Sequence, residues 1–178
     1  MDAHKNVRPF CIWLLKMKIV LMSDTHGLCD KKIDKYLSGC DEIWHAGDIG
    51  ALSVANRLRE FAPLRAVYGN IDDQNVRHEF SEFLEFECEG MSVLMTHIGG
   101  FPGKYDTRAL RQIFATKPKI FVCGHSHILR VMYDKHHDML VLNPGAAGIQ
   151  GFHQVRTLLR FDIEEGEIKN MEVIEIPR

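Results

Sequence analysis

The chain has no Cys-x-x-Cys pair, no bilayer-length apolar run, no basic stretch and no internal repeat. Each absence removes a class of protein. The five cysteines, Cys11, Cys29, Cys40, Cys88 and Cys123, are odd in number and irregularly spaced. A disulfide framework is therefore not expected, each cysteine reads as a small buried hydrophobe, and a reducing cytoplasm suits them. The longest apolar run near the start, Phe10 to Leu15, is far too short to span a membrane. Lys5 and Arg8 precede it, but a signal peptide's length and small-residue cleavage site are wanting. A formal net charge of -2 gives no general attraction to nucleic acid or anionic lipid. With no aromatic–basic stripe either, neither nucleic acid nor membrane is an expected partner.

What is present is an ordinary globular mix, 46% hydrophobic and 26% charged over 178 residues, enough for one domain with a sizeable core. Met17 is followed directly by Lys-Ile-Val-Leu-Met-Ser-Asp, which reads as a natural start running into a strand. Residues 1–16 are read as an N-terminal extension and residues 17–178 as the domain. Strands are predicted over 19–22, 42–46 and 64–68, with helices over 31–37 and 52–61 between them. The second half predicts a hairpin over 83–87 and 91–96, a helix over 106–115 and a strand over 119–123. Two further hairpins follow, over 128–133 with 139–142 and over 156–163 with 167–176. Early βαβ units followed by hairpins imply an α/β fold, a mixed β-sheet sandwich flanked by helices.

Asp24, Asp48, Asn70, His97 and His125 each fall at or just beyond the C-terminal end of an apolar strand. Sites in α/β sheets gather outside those ends, so remote segments can deliver polar groups to one place. The pieces are Asp24-Thr25-His26, Gly47-Asp48, Gly69-Asn70, Thr96-His97 and Gly124-His125-Ser126-His127. Singly they are weak, since Gly-Asp and Gly-Asn usually mark turns. The His-x-His pair is stronger, because residues i and i+2 of an extended segment face one side. Carboxylate, imidazole and amide oxygen without thiolate suit divalent Mn, Fe, Zn or Co and argue against a structural cysteine-zinc site. The set is too large for one ion and suits two.

In motif order and spacing, from Met17 to the C-terminus, the chain resembles the calcineurin-like metallophosphoesterases. The match is to their compact YfcE-like bacterial and archaeal phosphodiesterase branch, and it includes Asn143-Pro144-Gly145. The resemblance implies that Asp24, His26 and His127 bind a first metal, that Asn70, His97 and His125 bind a second, and that Asp48 bridges them. It implies two divalent ions, manganese favoured, with Zn, Fe, Co or Ni as alternatives. Two ions about 3.5–4 Å apart can share a water, make it hydroxide and direct it in line at phosphorus. Asn70 would contact both metal and phosphate. The implied activity is hydrolysis of a small phosphodiester or phosphate ester in an open site without a cap domain.

Two positions depart from the pattern. Where many members carry a leaving-group histidine after Gly-Asn, this chain has Ile71, so leaving-group assistance is open and activated leaving groups are favoured. Asp72 matches an acidic family position and is a candidate assistant or ordering group; Asp73 and His78 read as a polar turn opening a helix. Ile98 stands where glycine usually follows the histidine, in a segment with Gly99, Gly100 and Gly103 that reads as a plain loop. His45 reads as a packed or supporting residue, and His136 and His137 as solvent-exposed turn residues. His153 receives no assignment. Arg108 and Arg111 read as a solvated helix face. The alternative function is a non-catalytic protein-binding scaffold of the same fold, resembling the retromer subunit; the retained histidines and Asn70 weigh against it. A metal-dependent binding module is the third reading. The edges of a mixed sheet leave room for a homodimer.

Overall fold

The computed structural model describes residues 16–178. Cys11 and nearly all of the expected extension lie outside them. The first half contains β1 (Met17–Met22), α1 (Asp34–Leu37), β2 (Glu42–His45), α2 (Leu52–Arg59), β3 (Leu64–Ala66) and α3 (Gln74–Glu79). The second contains β4 (Phe83–Cys88), β5 (Met91–Thr96), β6 (Gly100–Phe101), β7 (Lys104–Tyr105), α4 (Thr107–Thr116) and β8 (Ile120–Val122). Two hairpins follow, β9 (Leu129–Asp134) with β10 (Met139–Pro144) and β11 (Val155–Glu164) with β12 (Glu167–Pro177).

The strands form two five-stranded mixed sheets, ordered β12-β11-β1-β2-β3 and β4-β5-β8-β10-β9. In each, three neighbours run parallel: β1, β2 and β3 in the first, β5, β8 and β10 in the second. Side chains alternate across a strand, and here both faces are apolar because both are covered. Ile19 and Leu21 point into a layer shared with Trp44, Val93, Met95, Ile120 and Val122, which joins the sheets face to face. Val20 and Met22 point the other way, against Ile33, Leu37, Val54 and Leu58 of the α1–α2 side. Leu94, Phe121 and Val141 meet Ala109 and Ile113 of α4 on the far side of the second sheet. The result is the expected α/β sandwich.

Register sets the height of the strand ends. Met22 lies opposite His45, and His45 opposite Ala66. Met95 lies opposite Val122, and Val122 opposite Leu142. The parallel strands of each sheet thus stop along one edge, and the segments after them emerge together.

Several local expectations need correction. The 31–37 helix is a single α-turn over Asp34–Leu37, preceded by turns. The polar turn read at Asp73 and His78 is shorter than expected: the helix it opens already begins at Gln74 and runs to Glu79, so His78 lies within it, and the Asp73 carboxylate caps the Val76 N–H at 3.0 Å. The glycine segment after His97 is not a plain loop: Gly100 and Phe101 pair with Tyr105 and Lys104. His137 is not a solvated turn residue. Its Nδ1 lies 2.7 Å from the buried Asp134 carboxylate, and its ring sits between Tyr105 and Phe114. The turn folds it back onto partners remote in sequence. Cys29, Cys40, Cys88 and Cys123 are free thiols; Cys88 and Cys123 are buried, and Cys29 and Cys40 half-buried. Among the described residues no helix is long and apolar enough to cross a membrane.

Candidate metal centre

The loops after β1, β2, β5 and β8 converge on one point. Two groups form there: Asp24 with His26 and His127, and Asp48 with His97 and His125, each with its ligand atoms within 4.8 Å of one another. Asp48 stands between them, with Oδ2 3.8 Å from His26 Nε2 and Oδ1 3.2 Å from His97 Nε2. Asp24 Oδ1 is 3.2 Å from His127 Nε2 and 4.0 Å from His97 Nε2. The sequence separation is large; the geometric separation is not. Asn70 follows β3 and lines the same hollow as His97.

The backbone at these positions is unusual. Asp24, His26, Asp48, His125 and His127 all have φ between 49° and 67°. Left-handed backbone costs a non-glycine residue about 1–2 kcal/mol, and such residues cluster at functional sites where surrounding structure holds them. Of the other non-glycine cases, Glu89, Lys117, Asp138 and Glu165 sit at hairpin turns or a helix end, and Asn170 lies in β12 beside its register shift. The holding structure is visible. Asp24 N–H donates to Gly47 O, His26 N–H to Asp48 O and Gly27 N–H to Ile49 O, at 2.8 to 3.0 Å. Gly124 N–H donates to His97 O, and His125 N–H to Asp24 Oδ2. Two glycines permit the close approach: a Cβ on Gly69 would collide with the Asp48 carboxylate, and one on Gly124 with the Ser23 hydroxyl.

A ring of supporting groups fixes orientation. His97 donates Nδ1–H to Ala46 O at 2.7 Å, since a carbonyl can only accept. That tautomer leaves the Nε2 lone pair facing the carboxylates. Asp72 accepts N–H bonds from Ile49, Gly50 and Gly69, tying the Asp48 loop to the Asn70 loop. Ile71 N–H donates to Asp48 Oδ1 at 3.1 Å, while the Ile71 side chain is exposed. Asn143 donates to Gly124 O and Ser126 Oγ and accepts from Gly145 N–H, bracing the His-Ser-His loop. His45 is buried; its Nδ1 accepts from Gly47 N–H and its Nε2 lies 3.0 Å from Thr25 Oγ1. Burial pushes the His45 imidazole down to about 4, against the pull of Asp72 and Asp24, so it is neutral at ordinary pH.

Three contributors had no place in the sequence reading. Arg77 donates to the carbonyls of Asp72, Gly69 and Asn70 while stacking on Tyr68. His153 packs edge-on against His127 and bonds Gly148 O. Arg156, buried, joins Asp30 to Ala147 O and so locks the loop after His26 against the loop after β10. Arg108 pairs with Glu82 at the margin of the hollow that holds Asn70 and His97.

Do these residues fit a metal? Asp24 Oδ1 and His97 Nε2 are buried and have no hydrogen-bond partner, one in each group. His26 Nε2 and His127 Nε2 face each other at 3.3 Å, two lone-pair positions aimed at one spot. Asp24 raises the His127 imidazole, and Asp48 and Asp24 raise His97 in spite of its burial. Burial would raise the Asp48 carboxyl, but His97 and the Ile71 N–H hold it below its usual range. Orphaned acceptors around two buried carboxylates fit divalent cations.

The match to known proteins agrees with this geometry. The calcineurin-like phosphoesterase superfamily domain matches residues 17–166, and the chain belongs to that superfamily. An archaeal phosphodiesterase superposes with a TM-score of 0.69 at 24% identity, covering 90% of this chain and 100% of the other. A conserved Streptococcus pneumoniae protein described as a predicted phosphoesterase gives 0.67 at 24% identity over 90% of each chain. Zinc-bound Vps29 of Entamoeba histolytica gives 0.63 at 17% identity, covering 89% of this chain and 99% of that one. These neighbours share the fold. A search of curated protein sequences finds no match.

Proposed function

We propose that the chain is a dinuclear metal-dependent phosphodiesterase. Asp24, His26 and His127 would hold one divalent ion, Asn70, His97 and His125 would hold the other, and Asp48, which stands between the two groups, would serve both. The observation that carries this reading is the pair of convergent groups with an orphaned ligand atom in each, Asp24 Oδ1 and His97 Nε2. Hard oxygen donors beside imidazole favour manganese; zinc, iron, cobalt and nickel suit the same set. When bound, two such ions supply an activated water for in-line attack and neutralise charge growing on the phosphoryl oxygens.

The chain's own residues position and exclude. The Ala46 carbonyl and Asp72 hold His97 and Asp48 in place, and Asn70 at the rim meets the phosphate. Ile71 can neither donate a proton nor stabilise a leaving alkoxide, so good leaving groups are preferred. The substrate is a small phosphodiester rather than a nucleic acid, in keeping with a net charge of -2.

The test is hydrolysis of an activated aryl phosphodiester by metal-stripped protein, with Mn, Zn, Mg or no metal restored. Metal-dependent turnover that disappears in Asp48→Asn supports the proposal. Metal uptake without turnover under every condition would overturn it in favour of the scaffold reading.

A further inference from the structure

Three hollows border the imidazoles, and they differ in chemistry. One of about 150 Å³ is lined by Tyr68, Asn70, Arg77, His97 and Arg108, among others. A second, of about 300 Å³, includes Lys104, His125 and Arg130. The third, of about 760 Å³, begins at His125 and His127 and runs over Ile128, Leu129, Phe152 and Val155. Its lining contains no lysine, arginine or carboxylate among the described residues.

Three polar side chains of this third trough, Ser126, Thr157 and His153, already bond within the fold. Ser126 Oγ accepts from Asn143 and from Ile128 N–H. Thr157 donates its hydroxyl to Pro144 O, and His153 Nε2 bonds Gly148 O while its buried Nδ1 has no partner. A sugar hydroxyl or a second phosphate would find few free partners there, and desolvating such groups without new hydrogen bonds is unfavourable. The apolar groups, by contrast, are open. Phe152 is fully exposed, and Ile128 and Val155 are 53% and 40% exposed. The exposure of Phe152 is built in: its neighbour His153 is anchored against ligand-candidate His127, which leaves the Phe152 ring outside the fold.

We infer that the Phe152–Ile128 trough is the subsite for the non-reacting ester group of the substrate, and that this group is apolar and about the size of a ring. The inference rests on the phosphodiesterase reading and sharpens it. A diester held at the centre must send its second substituent along one of the bordering surfaces. The trough starts at His127, has room for a ring and rewards removal of apolar surface from water. Phe152 and Ile128 are specificity-determining residues in this account; neither takes part in bond breaking.

The test compares benzyl p-nitrophenyl phosphate with methyl p-nitrophenyl phosphate, which share a leaving group and carry spectator alkoxides of similar basicity. The wild-type protein should favour the benzyl diester by about tenfold in kcat/KM, the scale that burying a ring's apolar surface supports. In Phe152→Ser with Ile128→Ser the preference should fall towards unity. Val131→Ser, at an exposed apolar position on β9, should leave the ratio as it was. A second readout is independent of turnover: calorimetric binding of benzylphosphonate against methylphosphonate to the metal-loaded protein should show the same preference and the same loss. Because Phe152 is fully exposed, unchanged melting temperatures will show that the variants fold. Equal hydrolysis of both diesters, or a preference that survives the double substitution, overturns the subsite and leaves the phosphodiesterase reading standing. If neither diester turns over with any metal, the phosphodiesterase reading fails and the subsite falls with it.

Discussion

The two sheets bring opposite chemistry to one seam. The β12-β11-β1-β2-β3 sheet delivers both carboxylates, Asp24 and Asp48, with His26 and Asn70; the β4-β5-β8-β10-β9 sheet delivers only the imidazoles His97, His125 and His127. Each candidate triad draws on both sheets. Asp24 and Asp48 are 0% and 2% exposed, a costly placement for anions without partners. What forces them together is the apolar layer between the sheets, where Ile19, Trp44 and Val122 pack. What relieves them is the imidazole side and, in the proposed reading, a cation. The difference teaches that the centre belongs to the packing of the sheets and to neither sheet alone.

The supports differ in the same way. On the first-sheet side Asp72, a charged group, collects three N–H bonds. On the second-sheet side Asn143, a neutral amide, braces the His-Ser-His loop. The largest break should come from the seam itself. Asp48→Asn should lower kcat/KM on an activated aryl diester by at least about a hundredfold, measured at saturating manganese.

The supports come next. Asp72→Ala leaves three N–H donors without an acceptor and should cost about 3 kcal/mol in urea unfolding, with metal affinity down about tenfold or more. Asn143→Ala should cost less, about 1–2 kcal/mol, and weaken metal binding through His125 and His127 alone. Equal effects would erase the contrast between a charged and a neutral brace.

Acid should act through the first-sheet side. His45 has an ordinary value of 6.5 and is pushed down to about 4 in the fold. Its folded value is the lower one, so the unfolded chain binds the extra proton first as pH falls. Full stability from this group is present above about pH 6.5 and is lost progressively towards pH 4, by about 3 kcal/mol in total. Unfolding of metal-stripped wild type and His45→Gln at pH 7 and pH 4.5 should show a smaller acid loss in the variant. A parallel loss in both would remove His45 from the account.

The smallest effect concerns Ile71. It is 46% exposed, so Ile71→His should change stability by less than about 0.5 kcal/mol. It should raise turnover of diesters with alkyl leaving groups by about tenfold and of aryl ones far less, if a missing acid limits the former.

Much of this was legible because five of the seven candidate ligands, Asp24, Asp48, Asn70, His97 and His125, fall at or just beyond the end of an apolar run. Asp24 after Ile19–Met22 and His97 after Met91–Thr96 announce strand ends, and a parallel sheet aligns them. Other features carried no such mark. The helix at Gln74–Glu79 buries only Val76, too little for a periodic signal to set its bounds. The Gly100–Tyr105 hairpin reads as a glycine loop because its pairing is two residues long. His137 looked solvated because Tyr105 and Phe114 reach it through the fold. Arg77, His153 and Arg156 bond backbone carbonyls, and a carbonyl has no residue-type signature. The left-handed backbone of Asp24 and His127 was equally hidden, since neither residue type demands it.

Metal stoichiometry by elemental analysis, in wild type and in Asp48→Asn, tests the central claim most directly. A centre built jointly by the two sheets around Asp48 predicts two divalent ions per wild-type chain and the joint loss of both in the variant. Two ions retained by Asp48→Asn, or none bound by the folded wild type, would contradict it.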